Sequence, residues 1–289
     1  MAAKGALARQ LNGLKVAEHD GVELLADAWL PAGDGPHQAM ILLHGGAFTK
    51  GSRASQRPWA EFLAAHGIAA FPVDYRLAKP GRTTYPEAIL DARAAVQWVR
   101  GSATQLGLDP KRIGLMGGSA GGYLAAMVAL TARNPRFANP YDDPFKDQPS
   151  DVDVVIPMAG NFDMIARWHY DRIHRPPDEG TGEAYIGGTP YTNRERYYEA
   201  SPLYHASTQN AAGTKWLIAF GTRDDISPPE DHSLKIADAL KVAGALVRLV
   251  PLEGAPHFWY MEGEVDEGNP YNVLMGQRLL TFLRSTAKW

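Results

Sequence analysis

The stretch Arg112–Leu130, Arg-Ile-Gly-Leu-Met-Gly-Gly-Ser-Ala-Gly-Gly-Tyr-Leu-Ala-Ala-Met-Val-Ala-Leu, decides the fold of this chain. The apolar run Ile113–Met116 predicts a buried strand, and the good helix formers from Tyr123 to Leu130 predict a helix. Between them lies Gly-x-Ser-x-Gly, the pattern of a sharp strand-to-helix turn with an exposed serine, called a nucleophile elbow. The N-terminus of the helix favours developing negative charge, so Ser119 is the candidate nucleophile.

Predicted strands and helices alternate along the rest of the chain. His19-Asp20-Gly21, between strand-like runs at 14–18 and 22–30, predicts an antiparallel hairpin. Further strands are predicted at Ala39–Leu43, Ile68–Tyr75, Val152–Met158, Trp216–Phe220 and Leu246–Leu252, and helices at Trp59–His66, Pro86–Arg100, Asp231–Val242 and Tyr271–Thr286. This alternation predicts an α/β fold, in which helices cover both faces of a mainly parallel central sheet.

Residues 163–200 interrupt this alternation. They are aromatic, charged and rich in glycine and proline, and they contain no clear strand. We expect them to form a small cap-like segment of short helices and loops, inserted over the active-site edge of the sheet. The whole chain, residues 1–289, is expected to be a single domain, because α/β folds of this size are often single.

Composition excludes several classes of function. The net charge of −3, without charge runs, gives no support for a nucleic acid partner. The chain has no cysteine, and no His-x-x-x-His or phosphate-binding glycine motif occurs, so neither a metal nor a cofactor is expected. No apolar run approaches the roughly 20 residues of a membrane span. The N-terminus lacks the apolar core of a signal peptide, which predicts a cytoplasmic protein, but an exported protein without its leader would look the same.

Further candidate residues follow three predicted strands. Asp224 and His257 each come shortly after an apolar strand, and the loop His44–Phe48 comes directly after another. Functional groups of parallel sheets gather at the carboxyl ends of the strands, so these residues are expected to meet Ser119 there. The order Ser119, Asp224, His257 is the order of nucleophile, acid and base in hydrolases with this kind of elbow.

Acyl transfer requires these residue types. A serine hydroxyl is a weak nucleophile until a neutral imidazole accepts its proton, and a carboxylate holds that imidazole in the required tautomer. Preformed N–H donors must bind the oxyanion, and the amide of Ala120, directly after the nucleophile, is one candidate. Ser119 is therefore the predicted nucleophile, His257 the base and Asp224 the acid.

Other residues compete for two of these roles. Eight more histidines occur in the chain, and several lie at turns or helix ends: His19, His37, His66 and His232. Only His257 follows a strand downstream of the candidate acid. Asp225 competes with Asp224, and we expect Asp225 to point elsewhere and cap the following turn.

Several motifs together resemble the hormone-sensitive-lipase-like carboxylesterases of the α/β-hydrolase superfamily. They are His44–Phe48 (His-Gly-Gly-Ala-Phe), Asp74–Leu77 (Asp-Tyr-Arg-Leu), Gly117–Gly122, Gly221 with Asp224, and His257. Tyr185–Gly188, followed by Ala200–Leu203, is similar to the bacterial feruloyl and acetylxylan esterase-like branch of that family. The resemblance spans nearly the whole chain and implies the α/β-hydrolase fold.

The resemblance also implies roles for the loop after the first parallel strand. The amides of Gly46, Ala47 and Ala120 are expected to bind the oxyanion, and His44 is expected to brace the loop. The chain departs from the family pattern twice. Ala47 replaces a usual third glycine, so its methyl group is expected to narrow the part of the binding site that holds the acyl group of the substrate. Gly118 stands before the nucleophile, where an acidic residue or histidine is common in the family. Any hydrogen bond that such a side chain would make is therefore absent here.

Together these observations predict a serine carboxylesterase that hydrolyses short-acyl esters through an acyl-enzyme. An amidase or arylformamidase-like hydrolase with the same triad is the alternative. A non-catalytic receptor on a hydrolase scaffold is a third possibility, but such receptors typically lose a triad member and none is missing here. The expected partner is a small-molecule ester, bound by a monomer or homodimer. Aromatic residues expected near the carboxyl edge of the sheet are Trp168, Tyr170, Phe258, Trp259 and Tyr260.

Overall fold

The strands of the chain build one eight-stranded sheet. The computed structural model describes residues 7–176, 180–261, 263–287 and 289. The strands are β1 (Leu7–His19), β2 (Val22–Pro31), β3 (His37–Leu43), β4 (Ala69–Val73), β5 (Leu108–Gly118), β6 (Val154–Met158), β7 (Lys215–Gly221) and β8 (Leu246–Leu252). Their order is β1-β2-β4-β3-β5-β6-β7-β8; β2 is antiparallel to both neighbours, and every other pair is parallel. The predicted mainly parallel sheet is confirmed.

Helices cover both faces of this sheet. They are α1 (Arg57–Ala65), α2 (Glu87–Gly101), α3 (Ala103–Leu106), α4 (Ala120–Thr131), α5 (Met164–His174), α6 (Thr181–Ile186), α7 (Arg194–Glu199), α8 (Thr208–Ala211), α9 (Ser233–Val242) and α10 (Pro270–Phe282). Ile41 and Leu43 of β3 belong to the core layer that includes residues of α2, α4 and α9, whereas Met40 and Leu42 belong to the layer that includes residues of α1 and α10. Successive side chains of a strand point to opposite faces, which is why β3 is apolar throughout. Within the described ranges, no helix has both the length and the apolarity to cross a membrane.

Some strand boundaries differ from the predicted ones. β1 and β5 are longer than their apolar runs, because pairing with a neighbouring strand also orders polar residues at the strand ends. β4 accommodates Pro72, which has no N–H to donate. The registered pairs with β2, Ala26–Val73 and Trp29–Ala70, lie on either side of this proline.

The segment at residues 163–200 contains α5, α6 and α7 and no strand in its described part. Residues 177–179 of this segment lie outside the described residues. α5 begins after Asp163, whose side chain accepts hydrogen bonds from the amides of Ile165 (3.0 Å) and Ala166 (3.1 Å). These amides have no partner inside the helix, so the capping carboxylate fixes the residue at which α5 starts.

A buried charged cluster fastens the β1–β2 turn to the body of the sheet. His19, which the sequence places at a simple turn, is fully buried. Its Nδ1 lies 2.7 Å from Asp91 of α2, and its Nε2 lies 2.9 Å from Asp143. Arg76 donates to Asp91 (2.7 Å), and Tyr141 stacks on the imidazole with 3.7 Å between ring centroids. Burial alone would lower the pKa of His19, but the hydrogen bonds to the two carboxyl groups outweigh it and raise the pKa.

We expect His19→Gln to destabilise the protein most at low pH. Removing one partner of a buried ion pair typically costs about 3–5 kcal/mol. Because the pKa is raised by folding, the stabilisation is complete below the unfolded value of about 6.5 and is lost as pH rises through the folded value. Urea unfolding should show a free-energy difference between wild type and variant that shrinks with rising pH. His37→Gln, at a half-buried histidine, is the control. A His19 effect that grows with pH contradicts the assignment.

Candidate active site

The serine elbow joins β5 to α4 through a strained backbone. Ser119 has φ 52° and ψ −116°, a conformation that costs a residue with a side chain about 1–3 kcal/mol. Its amide donates to the Met158 carbonyl of β6 at 2.8 Å, which ties the turn to the neighbouring strand. The surrounding sheet therefore imposes the strain and leaves the hydroxyl at the carboxyl edge.

The elbow glycines are required by close backbone packing. A Cβ atom on Gly117 would lie 2.6 Å from the Leu43 carbonyl oxygen, and one on Gly121 would overlap the same oxygen. Real Cβ atoms are not found this close to a backbone oxygen. Glycine at both positions thus lets β3, β5 and the first turn of α4 meet behind Ser119.

The three predicted triad residues lie in one hydrogen-bonded row. His257 Nε2 is 2.9 Å from the Ser119 hydroxyl, and His257 Nδ1 is 2.9 Å from each carboxylate oxygen of Asp224. Exposed fractions are 1% for His257, 5% for Asp224 and 7% for Ser119. The imidazole is thus shielded from water and held at both ring nitrogens. This is the arrangement in which an imidazole can accept a serine proton.

Asp224 also fixes the turn that carries it. Its Oδ1 accepts hydrogen bonds from the amides of Ile226 (3.0 Å) and Ser227 (2.7 Å). The Ser227 hydroxyl in turn donates to the Asn161 side chain at 2.8 Å. The expectation that Asp225 caps this turn is wrong: Asp225 is exposed, and Asp224 performs both tasks. A carboxylate has enough acceptor sites for two amides and one imidazole.

A buried arginine, missed by sequence reasoning, joins α5 to the same turn. Arg167 donates from one Nη to the Ile226 carbonyl and from the other to Asp171 at 2.6 Å. Asp171 also accepts from the amide of Thr181 at 2.9 Å. The i, i+4 spacing of Arg167 and Asp171 was the available signal, but it is typical of exposed helix pairs. Here the pair anchors α5 and α6 beside the acid turn.

The loop after β3 is braced by His44 and Tyr75. His44 Nδ1 lies 2.7 Å from the Gly45 carbonyl, and the imidazole stacks on the Tyr75 ring with centroids 4.2 Å apart. The Tyr75 hydroxyl donates to the His44 carbonyl at 2.8 Å. Burial lowers the pKa of His44, which keeps the ring neutral and able to donate to the Gly45 oxygen. His44 is therefore a structural residue of the loop.

The same loop has unusual backbone angles and passes next to Ser119. Gly46 has φ 124°, and a Cβ there would lie 2.7 Å from the Lys50 carbonyl carbon. Ala47 has φ 54°, in the left-handed region. In the part of the chain that the structure describes, the amides of Gly46 and Ala47 donate to no backbone carbonyl. A Cβ on Gly45 would lie 3.6 Å from that of Ser119, so the loop adjoins the nucleophile.

Another buried histidine lies close to the acid turn. His232 Nδ1 accepts hydrogen bonds from the amides of Phe162 (3.2 Å) and Asp163 (3.4 Å). Burial, reinforced by the charge of Arg167, lowers the pKa of His232 to about 3. The ring is thus neutral, and its Nδ1 serves to accept hydrogen bonds from the backbone that precedes α5. Among the described residues, no cluster of three His, Asp or Glu side chains is placed to hold a metal ion.

The predicted aromatic residues divide between surface and core. Phe258, next to the base, is 51% exposed, and Tyr170 is half-buried. Trp259 is buried in the core on the α1 and α10 side, so it does not reach the rim. Trp168 is buried and donates from Nε1 to Glu183 at 2.7 Å. Phe258 is therefore the predicted aromatic residue that is most open to a ligand.

The strand order, the serine elbow and the adjoining loop define an α/β-hydrolase fold. The BD-FAE family model matches residues 26–240. The chain belongs to this family of hormone-sensitive-lipase-like α/β-hydrolases, as its motifs predicted.

Curated relatives and solved structures agree with this family. The probable carboxylic ester hydrolase LipM of Mycobacterium tuberculosis is 31% identical over 67% of this chain and 43% of its own length. Esterase LipC of the same organism is 29% identical over 86% of this chain and 60% of its own length. The chain thus spans about half the length of these curated relatives. Thermogutta terrifontis esterase 2 phosphonylated by cyclosarin has a TM-score of 0.76 and 28% identity, and covers 96% of this chain and 94% of its own.

We expect Asp224→Asn to abolish activity without unfolding the protein. The asparagine carbonyl can keep the bonds from Ile226 and Ser227, but its amide then donates to His257 Nδ1 and leaves the proton on Nε2. That tautomer cannot accept the serine proton, and the loss in kcat should be on the order of 10⁴-fold. Asp225→Asn, at the exposed neighbour, is the matched control and should be active. Equal losses in kcat for the two variants would contradict the assignment of Asp224 as the acid.

Proposed function

We propose that this chain is a serine carboxylesterase for short-acyl esters. The observation that carries the proposal is the buried row of Ser119, His257 and Asp224, joined at 2.9 Å on both sides of the imidazole. The names of its relatives, the probable carboxylic ester hydrolase LipM, esterase LipC and the ethyl acetate hydrolase of Pseudomonas putida, all denote hydrolysis of esters. These names favour an ester over the amide or formamide alternative that shares the triad.

In the proposed acylation step, His257 Nε2 removes the proton of Ser119 while Oγ bonds to the ester carbonyl carbon. The carbonyl π electrons move to oxygen, and the amides of Gly46, Ala47 and Ala120 bind the resulting oxyanion. The tetrahedral intermediate then breaks its bond to the alcohol oxygen. His257 gives its proton to that oxygen and the carbonyl re-forms. The alcohol departs, and the acyl group stays bonded to Ser119 as the acyl-enzyme.

Deacylation repeats this sequence with water as the nucleophile. His257 takes a proton from water, whose oxygen bonds to the acyl carbon, and the same amides bind the second oxyanion. When the bond to Ser119 breaks, the imidazolium returns the proton to Oγ and the carboxylic acid is released. Asp224 holds the imidazole tautomer and stabilises the imidazolium throughout.

The domain organisation is proposed on related grounds. All strands of the described residues belong to one sheet, which favours a single domain over residues 1–289. Residues 163–200 are proposed as the inserted segment, since Arg167 links α5 to the Asp224 turn. The partner is proposed to be a small-molecule ester, and the choice between monomer and homodimer stays a prediction.

A fluorophosphonate probe tests the nucleophile. It should label wild type at one residue, Ser119, and Ser119→Ala should lose both labelling and p-nitrophenyl acetate hydrolysis, by a factor on the order of 10⁴–10⁶ in kcat. Structures of Thermogutta terrifontis esterase 2 phosphonylated by cyclosarin or phosphorylated by paraoxon make this class of reagent appropriate. Ser102→Ala, at a serine with the same 7% exposure, is the matched control. Labelling that persists in Ser119→Ala would remove the proposal.

A series of acyl chains tests the substrate class. The Ala47 methyl group is proposed to narrow the acyl side, and Thermogutta terrifontis esterase 2 was solved with propionate and with butyrate bound. We expect kcat/KM for p-nitrophenyl esters to be highest for acetyl to butyryl. Each methylene added beyond butyryl should lower kcat/KM further, since one methylene is worth about 10–200-fold in a filled pocket.

Ala47→Gly sharpens this test. Glycine adopts the φ of 54° without strain and removes the methyl group, so the variant should fold and should gain relative activity on hexanoyl and octanoyl esters. If kcat/KM of wild type is highest for long acyl chains, or if its dependence on chain length is unchanged in Ala47→Gly, the proposal that Ala47 narrows the acyl-binding part of the site is contradicted.

A further inference from the structure

The phenol of Tyr260 lies buried beside the nucleophile without a settled partner. Tyr260 is 5% exposed, and its hydroxyl has no well-aligned hydrogen bond among the described residues. Burial raises the pKa of this phenol, and an interaction with the Ser119 side chain opposes the rise. The phenol therefore keeps its proton. Its oxygen lies near Ser119, since a Cβ atom on Gly45 would lie 3.1 Å from the Tyr260 oxygen and 3.6 Å from the Ser119 Cβ.

Two glycines make room for this phenol. A Cβ on Gly118, the residue before the nucleophile, would lie 2.6 Å from Cδ2 and Cζ of the Tyr260 ring. A Cβ on Gly45 would lie 3.1 Å from the Tyr260 oxygen. The Tyr260 ring thus occupies the space that a side chain at position 118 would fill. Its hydroxyl lies between the two backbone segments that flank Ser119.

The position of Tyr260 is fixed by the protein core. It belongs to a short 3₁₀ helix, Trp259–Met261, that follows the base closely. Trp59 of α1 donates from Nε1 to the Tyr260 carbonyl at 3.2 Å. The ring meets His257 edge to face, with 6.2 Å between centroids. A phenol held this firmly needs no reorganisation to act on its neighbour.

We propose that Tyr260 is a catalytic donor, whose hydroxyl hydrogen-bonds to Oγ of Ser119 as the serine loses its proton. This role rests on the proposed function of Ser119. The serine proton moves to His257 Nε2, the electron pair on Oγ forms the new bond to the carbonyl carbon, and the phenol proton stays on Tyr260. The same bond supports Oγ when it leaves during deacylation.

The resting geometry explains why this bond would accelerate the reaction. In the free protein the Ser119 hydroxyl is engaged with His257, and the Tyr260 hydroxyl is poorly satisfied. Negative charge develops on Oγ only as the proton leaves, so the bond is stronger in the transition state than in the ground state. Interactions of that kind raise kcat.

Tyr260→Phe tests the donor, because the ring still fills the space over Gly118. A hydrogen bond to a charged group contributes about 1.5–3 kcal/mol, so the acylation rate constant and the rate of fluorophosphonate labelling should fall about 10- to 100-fold. The dissociation constant for the substrate and the melting temperature should stay the same. Tyr123→Phe is the matched control, since this buried phenol of α4 faces Tyr185, and it should acylate at the wild-type rate.

The outcomes separate this inference from the function on which it rests. Unchanged acylation in Tyr260→Phe, with Ser119→Ala inactive, overturns the donor role and leaves the esterase intact. Labelling that persists in Ser119→Ala overturns the esterase proposal itself. An equal loss in Tyr123→Phe also overturns the donor role, because removal of any buried phenol would then have the same effect.

Difluorotyrosine at position 260 gives a second test that does not depend on folding of the phenylalanine variant. It keeps the hydroxyl and the ring but ionises at lower pH than tyrosine. If the protonated phenol is the donor, acylation by this protein should acquire an additional fall on the alkaline side that wild type lacks. The absence of that fall, at a pH where ultraviolet absorbance shows that the fluorinated phenol has ionised in the folded protein, overturns the proposal.

Discussion

The proposed active site depends on the close contact of three backbone segments behind Ser119. The end of β3, the end of β5 and the first turn of α4 approach so closely that Gly117 and Gly121 have no room for a Cβ beside the Leu43 carbonyl. This contact holds Ser119 at a positive φ and presents its hydroxyl at the carboxyl edge. A side chain at either glycine would separate the segments, and Ser119 and the loop His44–Phe48 would separate with them.

Polar groups around this contact are buried and shared. The Asp224 carboxylate serves two backbone amides and one imidazole, and the His44 loop is held by a stacked tyrosine and its hydroxyl. An unsatisfied buried donor or acceptor costs about 1–3 kcal/mol, so each of these bonds restricts the loop that makes it. Arg167 extends the network to α5, which couples the proposed inserted segment to the Asp224 turn. The proposed machinery is therefore rigid before a substrate binds.

Sequence reasoning succeeded where the signal is local. The elbow pattern, the apolar strands and the order of Ser119, Asp224 and His257 follow from spacing and periodicity, and the structure brings these three side chains together. It failed where a partner lies far along the chain. The sequence favoured Asp224 over Asp225 as the acid, but it assigned the cap of the following turn to Asp225, whereas Asp224 makes that cap as well. His19 resembles any turn histidine until α2 supplies Asp91.

The sequence by itself determined the fold class, the family and the residues that carry the proposed chemistry. These depend on glycines, apolar runs and a few reactive side chains, each of which can be recognised from the residues that neighbour it in the sequence. Only the tertiary structure decided that Asp224 caps its own turn, that Arg167 anchors α5, and that Tyr260 fills the space left by Gly118. The physical reason is that burial and hydrogen bonding depend on what packs against a residue, and the neighbours that pack here are distant in the chain.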